Sequence, residues 1–182
     1  FYSMHKEEGC FLMPNAWDIG SAKMLVAAGF DSIGTTSAGV AFSLGRPDNV
    51  FCSEDARLNR EEMIAEISSI TQSVSVPVNA DLEAGFGPGP EDVLKTIKLA
   101  IKAGAAGGNI EDYSGDPSAP LYALELSIER IRAARKEIDH SDVPFVLVGR
   151  TDEMNAGHSA NLDQAIKRAN LYYEAGADCL FV

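Results

Sequence analysis

Apolar positions along the chain fall into two alternating patterns. Spans with apolar residues three or four apart predict amphipathic helices, and short continuous apolar runs between them predict buried parallel strands. The first helix is expected from about Ile19 to Ala28, with Met24, Leu25 and Ala28 on one side. The second opens at Asn59 with Glu62 three residues on, a capping-box pattern, and continues through Met63, Ile64, Ile67 and Ile70. The third opens at Gly89-Pro90-Glu91-Asp92, with proline at the first helical position and acids in the first turn. Val93, Leu94, Ile97 and Ile101 form its stripe. The fourth runs from about Leu121 to Ile138, and the fifth opens at Asn161, with Gln164 at its third position, and ends near Gly176. The strands expected between them are Phe11-Leu12-Met13, Ser32-Ile33-Gly34-Thr35, Val76-Pro77-Val78-Asn79-Ala80, Gly108-Asn109-Ile110, Phe145-Val146-Leu147-Val148 and Cys179-Leu180-Phe181-Val182.

An internal repeat supports this alternation. Three helices end alike, at Val26-Ala27-Ala28-Gly29-Phe30-Asp31, Ile101-Lys102-Ala103-Gly104-Ala105-Ala106 and Tyr173-Glu174-Ala175-Gly176-Ala177-Asp178. Each glycine is expected just beyond a helix, where positive φ is needed, and each precedes a strand. Units of about 35 residues imply roughly 280 residues for a closed (β/α)₈ barrel. The chain has 182 residues and stops in its sixth strand. The expected architecture is therefore α/β: a TIM-type (β/α)₈ barrel lacking its last units, strands 1–6 being present. Residues 1–182 would form one (β/α)-barrel domain, C-terminally incomplete, and the start at Phe1-Tyr2 suggests that residues precede it. The rival architecture is an open, doubly wound sheet.

In parallel barrels the chemistry sits at the C-terminal ends of the strands, and here those ends are polar. Asn79-Ala80-Asp81-Leu82-Glu83, Glu111-Asp112 and Gly149-Arg150-Thr151-Asp152 follow the third, fourth and fifth strands. Side chains alternate faces along a strand, so Asp81 and Glu83 are expected to point the same way. With Glu111 they would bring three carboxylates to the barrel mouth. Uncompensated, these would repel one another and raise each other's pKa. A hard divalent cation relieves that; magnesium fits best, and manganese would serve. Arg150 offers a planar fork for a carboxylate or carbonyl oxygen.

Other features narrow the chemistry. The net charge of −12 argues against nucleic-acid backbones and anionic membranes. Cys10, Cys52 and Cys179 are scattered and odd in number, which suggests reduced thiols in a cytoplasmic protein rather than a disulfide framework. The lysines lie near the terminus or on helices, so a Schiff-base lysine at a strand end is not expected, and metal-stabilised carbanion chemistry is favoured over imine chemistry. Gly85-Phe86-Gly87-Pro88-Gly89-Pro90 does not spell a phosphate loop and reads as a mobile loop before a helix. His158 reads as a solvated loop residue, His140 as a turn on the far face, and Trp17 as either a pocket wall or loop packing.

These residues carry a resemblance. Pro14-Asn15-Ala16-Trp17-Asp18, Ala28-Gly29-Phe30-Asp31-Ser32-Ile33, Thr35-Thr36-Ser37-Ala38-Gly39-Val40-Ala41, Gly45-Arg46-Pro47-Asp48, Asn79 to Gly87, Asn109-Ile110-Glu111-Asp112 and Gly149-Arg150-Thr151-Asp152, in this order and spacing, resemble the isocitrate lyase/phosphoenolpyruvate mutase superfamily along essentially the whole chain. The resemblance implies a magnesium-dependent lyase or mutase acting on a small 2-oxo acid. It implies Asp81 as direct metal ligand, Glu83 and Glu111 as ligands through water, and Asp48 as a further acid near the metal. Ser37, with the amides of Ala38 and Gly39, would cradle the substrate carboxylate, Trp17 would adjoin it, and Arg150 would hold the oxo acid. It also implies a homodimer or homotetramer with a swapped C-terminal helix.

Two departures from the family pattern bear on the substrate. Isocitrate-type lyases carry a Lys-Lys-Cys-Gly-His motif after the fourth strand, whereas here Glu111-Asp112 is followed by Tyr113-Ser114-Gly115-Asp116-Pro117. The family's Asp-x-Asp is Asp81-Leu82-Glu83 here. The reading that remains is C–C or C–P bond cleavage through an enolate, either oxaloacetate decarboxylase-like or phosphonomutase-like. Its rivals are a barrel that binds a metal or oxo acid without turnover, and a barrel specific for a phosphorylated substrate.

Overall fold

The computed structural model describes residues 1–48, 57–155 and 161–182. Six parallel strands form one sheet, β1 (Asn15–Ala16), β2 (Ile33–Thr35), β3 (Val78–Asp81), β4 (Gly107–Glu111), β5 (Val146–Arg150) and β6 (Cys179–Phe181), paired in simple sequence order. A doubly wound sheet reverses its strand order at a switch point. The order here never reverses, so the six strands follow one another as the units of a barrel do. The helices are α1 (Ile19–Ala27), α2 (Ser37–Ser43), α3 (Arg60–Ser73), α4 (Pro90–Lys102), α5 (Leu124–Asp139) and α6 (Leu162–Glu174).

Local signals explain most boundaries. Asn59 caps α3 by accepting from the Glu62 amide, and Glu62 returns the bond to the Asn59 amide. Pro90 opens α4 beneath Glu91 and Asp92, and Asn161 caps α6 through the Gln164 amide. The three repeat glycines, Gly29, Gly104 and Gly176, all have positive φ, the backbone conformation expected just beyond a helix.

Three expectations need correction. The first strand lies at Asn15–Ala16 rather than Phe11–Met13. Phe11 turns its ring onto Phe1 and His5, while Leu12 is 74% exposed, so this apolar run covers the floor of the sheet instead of pairing in it. Helix α5 starts at Leu124, not Leu121, because Leu121 bridges back to Tyr113 and the Tyr122 amide donates to the Asp112 carbonyl. Helix α2 was not anticipated. Its small residues carry little helical periodicity, but the Thr36 hydroxyl caps it by accepting from the Gly39 amide.

The two faces of the sheet differ. Val78, Ala80, Leu82, Ile110 and Leu147 turn outward and pack against the helices in two buried apolar clusters. Asn79, Asp81, Asn109, Glu111 and Arg150 turn inward and line a cavity. The strands thus obey period-two alternation, with the apolar set facing the helices and the polar set facing the barrel axis.

Candidate active site

The cavity holds about 620 Å³ and runs from a floor near His5 and Met13 to the C-terminal strand ends. Its acidic wall begins at the end of β3. Asp81 is tied on both oxygens: Oδ2 accepts from the amide and hydroxyl of Ser37, each at 2.8 Å, and Oδ1 accepts from Asn109 Nδ2 at 3.0 Å. The Asp81 amide donates to Thr35 Oγ1 at 2.8 Å. The residue is therefore fixed by β2, α2 and β4 together.

Glu83 reaches the same cavity by another route. The strand ends at Asp81, and Leu82 is buried among the helices. Glu83 has φ +46°, in the left-handed region, and Phe86 has φ +56°. Such positions cost on the order of 1–3 kcal/mol unless the surroundings hold them. Here two buried arginines hold the turn. Arg130 from α5, 1% exposed, donates to the carbonyls of Ala84, Gly87 (2.8 Å) and Pro88 (2.5 Å). Arg60 from α3 donates to the carbonyls of Gly85 (3.4 Å) and Phe86 (2.9 Å), and to Asp92. The glycine-rich loop expected to be mobile is therefore pinned along its backbone. Asp81 and Glu83 share the cavity as expected, but a backbone twist places Glu83, not strand alternation.

The opposite wall belongs to β4 and β5. Glu111 and Arg150 are paired neighbours in the sheet, and their side chains meet at 3.1 Å. Asp152 holds the other edge of the guanidinium, accepting from Nε at 3.2 Å and Nη2 at 2.7 Å. Arg150 also lies over the Phe181 ring, 4.9 Å from its centroid. Two acids grip the fork from two sides.

Electrostatics follows from this crowding. Burial, then the charges of Asp81 and Asp48, push Glu83 up to about 8, against the pull of Arg57 and Arg150. Burial also pushes Glu111 well above the usual carboxylate range, Arg150 opposing and Asp152, Asp81 and Glu83 adding to the rise. A divalent cation is the chemistry that relieves such a set. The donors are hard carboxylate oxygens, which suit magnesium. Among the described residues no three His, Cys, Asp or Glu side chains come together closely enough to hold an ion directly. An ion held by these carboxylates would keep part of its own water, as magnesium does.

The remaining candidates divide. Asp48, Ser37 and Ala38 line the cavity. Gly39 does not, and its amide is engaged by the Thr36 hydroxyl at 3.2 Å; of the two amides expected in the cradle only that of Ala38 is left, and the amide and hydroxyl of Ser37 both face Asp81. Trp17 is 44% exposed and outside the cavity lining, with its Cβ against Gly39, so it packs the loop rather than walling the pocket. His140 caps the exposed end of α5, and Lys23, Lys95, Lys98, Lys102, Lys136 and Lys167 lie on helices. His158 and Cys52 lie outside the described residues. Asn109, Asp152, Tyr113 and Asn155 line the cavity without having been singled out. The signal for the first two was present: Asn109 and Asp152 each stand two positions from a chosen residue, Glu111 and Arg150, on the same face. Among the described residues no helix is long and apolar enough to cross a membrane.

Known proteins resemble this chain in sequence and in fold. The family model "Phosphoenolpyruvate phosphomutase" matches residues 1–182. The 2-methylisocitrate lyase of Escherichia coli (strain K12) is 38% identical over 85% of this chain and 51% of its own length. A solved structure from Burkholderia cenocepacia J2315 superposes with a TM-score of 0.91 at 41% identity, over 98% of this chain and 61% of that one. Oxaloacetate acetylhydrolase in complex with its product oxalate superposes with a TM-score of 0.86 at 27% identity, over 98% of this chain and 60% of that one. The chain thus spans about half the length of the 2-methylisocitrate lyase it matches. With the match running from the first residue to the last, and with the superposition as close as this, the chain belongs to the phosphoenolpyruvate phosphomutase family, within the isocitrate lyase/phosphoenolpyruvate mutase superfamily.

Proposed function

We propose that this chain forms the catalytic half of a magnesium-dependent lyase or mutase that cleaves the bond beside the carbonyl of a small 2-oxo acid. One observation carries the reading: Asp81, Glu83, Glu111 and Arg150 line one cavity at the C-terminal ends of three adjacent strands. Asp81 would hold the ion, with Glu83 and Glu111 contacting it through water and Asp48 adding charge beside them. Bound there, magnesium supplies Lewis-acid polarisation of the 2-oxo group. Manganese would substitute.

The chain's own residues then do the rest. Arg150 is preorganised by Glu111 and Asp152, and of the five N–H donors of its fork Asp152 takes two and Glu111 one. The others can meet the substrate carboxylate and the oxygen on which negative charge grows as the bond breaks. Fixed donors aimed at developing charge are worth more here than in water. The Ala38 amide would steady the carboxylate, while Ser37 keeps Asp81 in place with both of its donors. C–C cleavage, as in an oxaloacetate decarboxylase, and C–P rearrangement, as in a phosphonomutase, both need this set. The same reading takes the protein as a cytoplasmic homodimer or homotetramer.

Titration calorimetry of the full-length protein with oxalate, a mimic of the pyruvate enolate, tests the reading. Oxalate should bind with magnesium present and fail to bind in chelator. Equal binding in both, or none in either, would remove the metal-dependent chemistry. Turnover of one compound among oxaloacetate, phosphonopyruvate and 2-methylisocitrate would then separate an enzyme from a barrel that only binds.

A further inference from the structure

At the end of β4, consecutive side chains face opposite ways. Glu111 faces the cavity and touches Arg150. Asp112 turns outward beneath α6 and is 2% exposed. Its carboxylate has three donors. Oδ1 accepts from the Asp152 amide at 2.8 Å, and Oδ2 accepts from the Tyr172 hydroxyl at 2.6 Å and from Arg168 Nη1 at 3.1 Å. Arg168 also donates to the Tyr122 carbonyl from both terminal nitrogens at 3.2 Å, and its Nε lies 3.5 Å from Glu153. None of Asp112, Arg168 and Tyr172 lines the cavity.

The chain of contacts leads to one side chain. Asp112 fixes the backbone of Asp152, and the Asp152 carboxylate holds two nitrogens of Arg150. Glu111, the neighbour of Asp112 in sequence, holds the third. Both grips on the Arg150 fork thus originate in two adjacent residues, Glu111 at the end of β4 and Asp112 just beyond it. A buried carboxylate that only had to be neutralised would need Arg168 alone. Spending one oxygen on the Asp152 amide ties the loop after β5 to the end of β4 and sets where the fork sits.

We propose that Asp112, Arg168 and Tyr172 are positioning residues for Arg150, acting from behind the site through Asp152. The inference takes Arg150 as the anion-binding group of the function proposed above, but the geometry it asserts can be read without any ligand. A displacement of a binding group by about 1 Å can cost on the order of a hundredfold in activity.

The test uses the full-length protein and two conservative variants. Tyr172→Phe deletes one hydroxyl and keeps the ring. Arg168→Lys keeps the charge and loses the fork. The Arg150 Nε–H resonance, identified as the ¹H–¹⁵N signal lost in Arg150→Lys, reports the position of the guanidinium in ligand-free protein. It should shift or broaden in Arg168→Lys and move less in Tyr172→Phe. Magnesium-dependent oxalate affinity should fall by about tenfold in Arg168→Lys while magnesium binding alone stays within twofold, as expected when an outer partner of a ligand-binding group is weakened. Adding Arg168→Lys to Arg150→Lys should cost no further oxalate affinity. An unmoved Arg150 signal in folded Arg168→Lys overturns the proposal, as does a parallel loss of magnesium and oxalate binding with the thermal midpoint, which marks a merely structural role. Wild-type protein that binds no oxalate with magnesium would fault the function, and the Arg150 signal would still decide the positioning.

Discussion

The two walls of the cavity are held by different physics. On the β3 side, Glu83 sits in a left-handed turn, and buried cations clamp neutral backbone carbonyls to keep it there. On the β4–β5 side, Arg150 is held by the carboxylates of Glu111 and Asp152, and the Asp152 amide is held by Asp112, which Arg168 and Tyr172 hold in turn. The first wall resists through groups that cannot be mutated away, because its acceptors are main chain. The second rests on matched charges, so its stability depends on both members of each pair. The difference teaches that a charged site can be built with its framework either blind to the charges of the site or continuous with them.

The largest effect should come from the residue that the two walls share. Asp81 is fixed by Ser37 and Asn109, on opposite sides of it. In Asp81→Ala, magnesium affinity should fall by more than about a hundredfold, beyond the loss usual for an outer-shell partner. Turnover should vanish while the far-ultraviolet circular dichroism is retained. Retained magnesium binding in calorimetry would show that the ion is held by Glu83 and Glu111 without it.

Next come the two clamps themselves. Arg130→Met leaves the carbonyls of Ala84, Gly87 and Pro88 buried without their donor and should cost about 3 kcal/mol in urea unfolding. No second substitution can relieve that, since the acceptors are backbone. Asp112→Asn should cost a similar amount, about 3 kcal/mol, because Arg168 loses its closest countercharge and keeps only Glu153 at 3.5 Å. Here a second change does help: Asp112→Asn with Arg168→Met should recover at least half of the loss. If Asp112→Asn alone were neutral, or the double variant no better than the single, the β5 wall would not be a matched-charge structure and the contrast between the walls would fail.

The sequence made the framework legible where one local rule decided the outcome. Capping boxes, proline at the first helical turn and glycines beyond helix ends gave α3, α4 and α6 nearly to the residue. The polar ends of the strands pointed to Asp81, Glu111 and Arg150, and all three line the cavity. Strand alternation also put Glu83 beside Asp81, but its place there depends on φ +46° and on Arg130 more than 40 residues away. Arg130 carries no local signal in the sequence, and its burial follows from the packing of α4 against α5. The short α2 was hidden because Ala38, Gly39 and Ala41 carry no amphipathic signal. Asp112 was visible as an acid at a strand end, but that it faces Arg168 and not the cavity follows from the position of α6. Local chemistry wrote the elements, whereas contacts between distant elements decided which polar residue served the site and which served its frame.

The smallest effect should lie at the rim. Arg46 makes a two-pronged pair with Glu62, Nη1 to Oε2 at 2.7 Å and Nη2 to Oε1 at 2.8 Å, and Glu62 also closes the cap of α3. Both side chains keep about a third of their surface in water, 34% and 31%, so the pair is screened and contributes little to folding. Arg46→Ala should lower the thermal midpoint by less than about 2 °C, and the difference should shrink in 1 M salt. Yet Arg46 stands two residues before Asp48, which lines the cavity and raises Glu83. If Asp48 takes its place from that surface anchor, magnesium affinity will drop in Arg46→Ala by more than the small stability change implies, and 1 M salt will reproduce the drop in wild-type protein. If magnesium affinity is unchanged while the midpoint shifts, the rim pair serves α3 alone, and the acidic wall of β3 is fixed entirely by its buried clamps.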